Sequence, residues 1–278
     1  MPVYIGTAGY SYPEWVGQVY PEGTSSAKML EMYARMFDVV EINATFYRPP
    51  GKSMFEKYPD RTGGDLKIVV KLHGNFTHER IAENDDASIF DTAVKPIVDS
   101  GQFAGYLAQF PQSFHCTSDA LHWIEKLREF FPDSPVVCEF RHKSWWNKDV
   151  LKFMKDMGIS VASVDSPDLS ELPPRAPTFT SEPGYLRLHG RNKDDWYGKG
   201  MVPRYTYDYS EAELHDLMEK TDKILKKAEG VIVIFNNHPY GYAANNANSF
   251  LAMLKKLFPD QDPGGKIKGN APQGELFG

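Results

Sequence analysis

The stretch PVVCEFRHKSWW (135–146) begins like a buried strand, yet Glu139 and Arg141 interrupt it two residues apart. Residues two apart in a strand share a face. Cys138 and Phe140 therefore point one way and the charged pair the other, so this strand has one apolar face and one that carries charge. A closed parallel barrel supplies both environments: its outward face packs under helices, and its inward face opens toward the carboxyl ends of the strands.

Seven more short, β-branched runs occur along the chain: VYIG (3–6), VVEIN (39–43), KIVVKLH (67–73), FAGYLAQF (103–110), ISVASVD (159–165), YLRLH (185–189) and VIVIFNN (231–237). Helix-period sequence lies between most of them. In SSAKMLEMYARMF, Met29, Met32, Tyr33, Met36 and Phe37 recur on one face, a core stripe. SDALHWIEKLREFF opens on Ser118 as a cap, and Ser210 with Glu213 forms a capping box at the head of another helix. A last helix is expected over 242–258.

Eight strand–helix alternations predict an α/β fold, a TIM (β/α)8 barrel in a single domain over 1–258, since such barrels typically run to about 250 residues. A doubly wound open sheet is the alternative. Between strands six and seven, SPDLSELPPRAPTFTSEP holds five prolines, so an irregular covering segment is expected there instead of a helix. The Gly- and Pro-rich end, 259–278, reads as a flexible tail.

Composition narrows the function classes. At 41% hydrophobic and 24% charged the 278-residue chain can bury a sizeable core, and a net charge of −6 argues against coating nucleic acid or an anionic membrane through overall charge. Two cysteines, Cys116 and Cys138, make a disulfide framework improbable. The N-terminal residues lack a signal peptide's pattern, and no apolar run approaches the roughly 18 residues of a membrane span, so a cytoplasmic protein is expected.

Strand parity assigns candidate site residues. Strand three sets Lys71 and His73 against Val70 and Leu72; strand seven sets Arg187 and His189 against Leu186 and Leu188. Alternate strands supply each barrel layer, which predicts a lower layer of Lys71, Glu139 and Arg187 under an upper one of His73, Arg141 and His189. Glu41, Asn43, Gln109, Asp165 and either Asn236 or Asn237 join from the even strands. On one reading these groups only pair, Glu41 and Glu139 neutralising Lys71 and Arg187. A charge set this large at one end points instead to a ligand, because buried ion pairs stabilise little better than apolar filling.

The motifs GTAGYSYPEW (6–15), VVEINATFYRPP (39–50), KLHGNFTH (71–78), QFP (109–111), CEFRHKSWW (138–146), YLRLHGR (185–191), YDYSEAEL (207–214) and FNNHPYGYAANNA (235–247) resemble the YecE-like family, domain of unknown function 72. The resemblance runs to about residue 258 and implies a TIM barrel without an established reaction. The family pattern often has Trp at Tyr10 and Pro at Gln112. Likeness to metal-dependent endonuclease and sugar isomerase barrels is one of fold.

Three chemistries are open. In the first, Lys71, His73, Arg141, Arg187, His189, Arg191 and His238 outnumber the acids at the mouth and hold a phosphate or carboxylate, on a small molecule or a nucleic-acid fragment. FNNHPYG adds Asn236, Asn237 and the start of a helix. Glu139 is then the candidate general acid or base, with His73 or His189 as partner, in a hydrolase or lyase. The second is a metal-dependent hydrolase or isomerase on Glu41, His73, Glu139, Asp165 and His189. No metal-binding spacing supports it, Lys71, Arg141 and Arg187 would repel a cation, and no cofactor is expected. The third is a non-catalytic nucleic-acid-associated module in which aromatic residues, Trp145 and Trp196 foremost, stack on bases. QGELF (273–277) adds a partner signal: it resembles the short peptide that docks on the DNA sliding clamp, with Gln273 as polar anchor and Leu276 and Phe277 in an apolar groove.

Overall fold

The computed structural model describes residues 2–198 and 201–257. Nine parallel strand segments make one sheet: β1 (Val3–Ala8), β2 (Val39–Ile42), β3 (Lys67–Lys71), β4 (Phe103–Gln109), β5 (Val136–Glu139), β6 (Ser160–Val161), β7 (Ser163–Asp165), β8 (Gly184–Leu188) and β9 (Val231–Phe235). Their order is β6-β5-β4-β3-β2-β1-β9-β8-β7. The two end segments are consecutive pieces of one run. The ISVASVD strand is split at Ala162; its first half pairs β5 and its second half pairs β8, which brings the sheet round into a nearly closed TIM-like barrel.

Two apolar cores follow from strand parity. Outward residues such as Val70, Cys138, Phe140, Leu186 and Leu188 pack with the helices, including Met29 and Tyr33 of the helix Ser26–Met36. Inward residues Val39, Val69, Leu107, Val137, Ala162, Tyr185, Ile232 and Ile234 fill the lower barrel. The inner plug ends where Glu41, Lys71, Gln109, Glu139 and Arg187 take the next inward positions, which places every charge toward the carboxyl ends.

Gly6 shows how tightly the outer shell closes. The Tyr33 hydroxyl donates to the Val39 carbonyl (2.9 Å) and accepts from the Thr7 amide (2.7 Å), and a Cβ on Gly6 would lie 1.7 Å from the Val39 oxygen. Only a residue without a side chain fits there.

Residues 166–183 contain no helix, as the prolines require. The segment is tied to the sixth strand by side chains: the Thr178 amide donates to Ser163 Oγ (2.8 Å), and Thr180 Oγ1 bridges the Val161 amide and the Ile159 carbonyl. The capping box of Ser210 and Glu213 forms at the helix Glu211–Leu225. The helix Ser118–Phe130 is capped by Thr117, whose side chain accepts from the Ala120 amide, so Ser118 is the first helical residue and not the cap. The last helix is Tyr242–Leu257. Among the described residues no helix is long and apolar enough to cross a membrane. The tail motif with Gln273, Leu276 and Phe277 lies outside the described residues.

Candidate functional site

At the top of the barrel two carboxylates meet two guanidiniums. Arg187 donates through Nε and Nη2 to both oxygens of Glu41 (2.9 and 2.5 Å) and through Nη1 to Glu139 Oε2 (2.7 Å). Arg141, two residues past the end of β5, turns back to pair with Glu139 Oε1. The Tyr185 hydroxyl donates to Glu41 Oε2 (2.9 Å). Both carboxylates are fully buried. Glu41 and Glu139 thus neutralise Arg187 and Arg141, not Lys71.

His189 closes the network. Its Nε2–H donates to Glu139 Oε1 (3.1 Å) while Nδ1 accepts from Asn236 Nδ2 (2.9 Å), which makes it a neutral imidazole. Burial, reinforced by Arg141, pushes its pKa down to about 3. Burial alone would raise the Glu139 carboxyl, but Arg141, Arg187 and His189 outweigh it and hold the group well below the usual carboxylate range. Glu139 and His189 are adjacent as expected, yet each spends its lone pairs on neighbours. Neither is placed to take a proton from a ligand.

Lys71 is the surplus cation. Its Nζ donates to Gln109 Oε1 (2.8 Å) and sits 4.3 Å from the Phe46 ring centre; among the described residues it forms no salt bridge. Burial and the Arg187 charge, offset in part by Glu41 and Glu139, push its pKa down to about 7.

Above these groups lies a cleft of about 270 Å³. Lys71, Arg141, Arg204 and His78 bring basic groups to its walls; Gln109, Gln112 and Tyr205 bring neutral polar ones; Phe46, Tyr47, Pro111, Leu172 and Trp196 supply the apolar surface. Among the described residues no carboxylate lines it. The Trp196 indole carries two guanidiniums, with Arg141 at 5.8 Å and Arg204 at 5.5 Å from its ring. Tyr205 lies beside Arg141; burial would raise its phenol, but Arg141 and Arg187 outweigh that and lower it. His78 sits edge-on to Phe46 at 4.8 Å, and burial together with Lys71 lowers its pKa.

Several sequence-assigned residues lie elsewhere. His73 follows β3 but leaves the barrel: its Nδ1 accepts from the Asn75 amide and caps the short helix Gly74–Thr77. Trp145 is 1% exposed, stacked on Phe140 at 3.9 Å and donating to the Phe114 carbonyl (2.7 Å), so it is core and offers no stacking face. Trp196 is also buried, at 2%, and contributes through the guanidiniums it holds.

Asp165 points outward. It accepts from Arg191 Nε and Nη2 (2.8 Å each) and from the Tyr209 hydroxyl (3.0 Å), and Arg191 also reaches Glu213 and Asp216. Asp165 and Arg191 therefore fasten the helix Glu211–Leu225 to the sheet and do not serve the mouth. An Asp165→Ala variant, which leaves Arg191 without its buried acceptor, is expected to lose about 2–3 kcal/mol in a denaturant titration.

Asn237 likewise faces outward, donating to the Tyr207 carbonyl and to Asn246 Oδ1 (2.8 Å each); Asn236 is the inward residue. His238 stacks on Tyr12 at 4.7 Å. Gly241, at positive φ, lies against the Val19 and Gln18 side chains, a packing contact within the fold. Asn43 keeps one buried oxygen, Oδ1, without a hydrogen-bond partner. His78, Arg204 and Tyr205 were not assigned from sequence. His78 lies in KLHGNFTH, seven residues after Lys71, whereas Arg204 and Tyr205 sit on the short helix Met201–Tyr205, inside a connection without period. Among the described residues no group of three or more His, Cys, Asp or Glu is placed to hold a metal.

Comparison with known proteins agrees with this architecture. The family described as "Protein of unknown function DUF72" matches residues 4–266. The UPF0759 protein YunF of Bacillus subtilis is 30% identical over 269 residues, covering 91% of this chain and 94% of its own; the UPF0759 protein YecE of Escherichia coli K12 is 29% identical over 114 residues, 40% of this chain and 39% of its own. A crystal structure of a DUF72 family protein from Thermotoga maritima superposes with TM-score 0.85 at 35% identity, covering 92% of this chain and all of that one. One from Enterococcus faecalis gives 0.81 at 27%, covering 94% and 97%. The parallel barrel, the charge network at its mouth and these relatives together establish that the chain belongs to the DUF72 family.

Proposed function

We propose that the cleft binds a small anionic molecule, one bearing a phosphate or carboxylate. The observation that carries this reading is the charge of the lining: Lys71, Arg141 and Arg204 face the space and, among the described residues, no Asp or Glu does. Glu41 and Glu139 are already paired with Arg187 and Arg141, and among the described residues Lys71 and Arg204 form no salt bridge. Two guanidiniums on one indole provide planar donors for an oxyanion. About 270 Å³ lies at the small end of ligand sites and suits a compact metabolite or the phosphate-bearing end of a larger one. Hydrolase or lyase chemistry on that molecule would draw its proton carriers from Tyr205 and His78, which line the cleft, rather than from Glu139 and His189, which lie beneath it.

A thermal-shift screen over sugar phosphates, nucleotides and carboxylic acids tests the reading. A ligand at about 100 times its Kd stabilises by about 2.7 kcal/mol, several degrees in a domain of this size. Arg204→Ala, which removes a charged donor from the half-buried rim, is expected to weaken binding at least tenfold, the equivalent of about 1.4 kcal/mol. Wild type unmoved by every anion, or Arg204→Ala binding as tightly as wild type, would defeat the proposal.

A further inference from the structure

We infer that Lys71 is a covalent site: its amine condenses with the carbonyl carbon of an aldehyde or ketone that also carries the anionic group held by Arg141 and Arg204. This deepens the anion-binding reading and rests on it. In the step, the Nζ lone pair attacks the carbonyl carbon and the C=O electron pair moves to oxygen, which takes up a proton. Nζ then loses a proton, the new hydroxyl takes up a second proton and leaves as water as the Nζ lone pair forms the C=N bond, and Nζ gives up its remaining proton; addition of water reverses it. No oxidant or metal is consumed.

Four observations place this chemistry at Lys71. The amine opens on the cleft yet the residue is only 8% exposed, so it meets a bound ligand in place of bulk water. Among the described residues it forms no salt bridge, Glu41 and Glu139 being engaged by arginines. Gln109 Oε1 accepts one N–H and fixes the direction of Nζ. Tyr205 and His78 line the same cleft and are able to supply and remove the protons that the dehydration moves.

Burial, Arg187 and Arg141 bring the Lys71 pKa down to about 7 against the opposing pull of Glu41 and Glu139, and Lys71 in turn lowers that of the neighbouring His78. Roughly half of its amine is then neutral at pH 7, against fewer than about one in a thousand for an ordinary lysine.

The test is reductive trapping on the whole protein at pH 7. Pyridoxal 5′-phosphate serves as an anionic aldehyde probe, borohydride fixes any imine, and peptide mapping finds the label. Lys71 is expected to be labelled on the order of a hundredfold faster than other lysines, with a rate that rises through about pH 7 where surface lysines climb toward pH 10. Inorganic phosphate should suppress the label, and pyridoxal without its phosphate should label far less. Labels scattered over surface lysines, or none, overturn the inference.

The two readings separate cleanly. Equal labelling of Lys71 by both probes keeps the imine and sinks the anion site. If the phosphate probe shifts wild-type melting, loses that shift in Arg204→Ala and leaves Lys71 unlabelled, the anion site stands and the imine falls. Lys71→Arg keeps a cation without a primary amine; it should lose the label, and a label of undiminished rate on the remaining lysines of that variant would overturn the inference.

Discussion

Arg187→Ala is expected to lower folding stability by about 3–5 kcal/mol, measured by denaturant titration at pH 7. The arginine is 2% exposed and holds two fully buried carboxylates at once. Without it Glu41 keeps the Tyr185 hydroxyl, and Glu139 keeps Arg141 and His189. The loss depends on pH with a definite sign. Glu139 has a folded pKa held well below its unfolded value, so its contribution is present above the unfolded carboxylate pKa and disappears as pH falls through the folded one. The deficit of Arg187→Ala should accordingly be largest near neutral pH and shrink in acid. A loss under 1 kcal/mol at pH 7 would mean that the network is hydrated and not buried.

Trp145→Ala is expected to cost a similar amount, about 3–5 kcal/mol, for a different reason. The indole stacks on Phe140 at 3.9 Å with the nearly parallel Phe114 ring beside it at 5.1 Å, and its N–H is satisfied by the Phe114 carbonyl. Truncation opens a cavity in a close-packed aromatic stack. Because Trp145 does not line the cleft, anion affinity at a temperature where the variant is folded should stay within about twofold of wild type. Trp196→Ala should do the reverse, weakening binding more than its stability loss suggests, since Arg141 and Arg204 both rest on that ring. Interchanged results would exchange the two residues' roles.

Period-two parity explains what was legible. It needs only alternate residues on a strand, and it put Glu41, Lys71, Gln109, Glu139 and Arg187 on the inner face, where register and packing place them. It even reached Arg141 past the end of β5. The same rule failed at His73, because the chain turns into a helix immediately after Leu72 and a capping contact overrides the strand direction. Parity taken from Ile159 and Val161, both in the outer core, places Asp165 outward as well; its place at the carboxyl end of an even strand had suggested the mouth.

The cleft's roof was beyond this logic. Trp196, Arg204 and Tyr205 come from the long connection between β8 and the helix Glu211–Leu225, where no repeating pattern ties sequence to direction. Residue type was misleading there too: tryptophan in a loop suggested an exposed stacking face, whereas Trp196 is buried beneath the two guanidiniums it supports. Partnering was equally hidden. Counting charges gave a surplus of cations but left open which of them the acids neutralise, and the geometry shows both acids engaged by arginines.

The surplus of positive charge over the cleft is the centre of this account, and diffraction from crystals soaked in inorganic phosphate tests it most directly. The account predicts one phosphate in the cleft, within hydrogen-bond distance of Arg141, Arg204 and Lys71, and absent from crystals of Arg204→Ala under the same soak. A cleft without the anion while phosphate occupies other surfaces, or an anion held there unchanged in the variant, would contradict it.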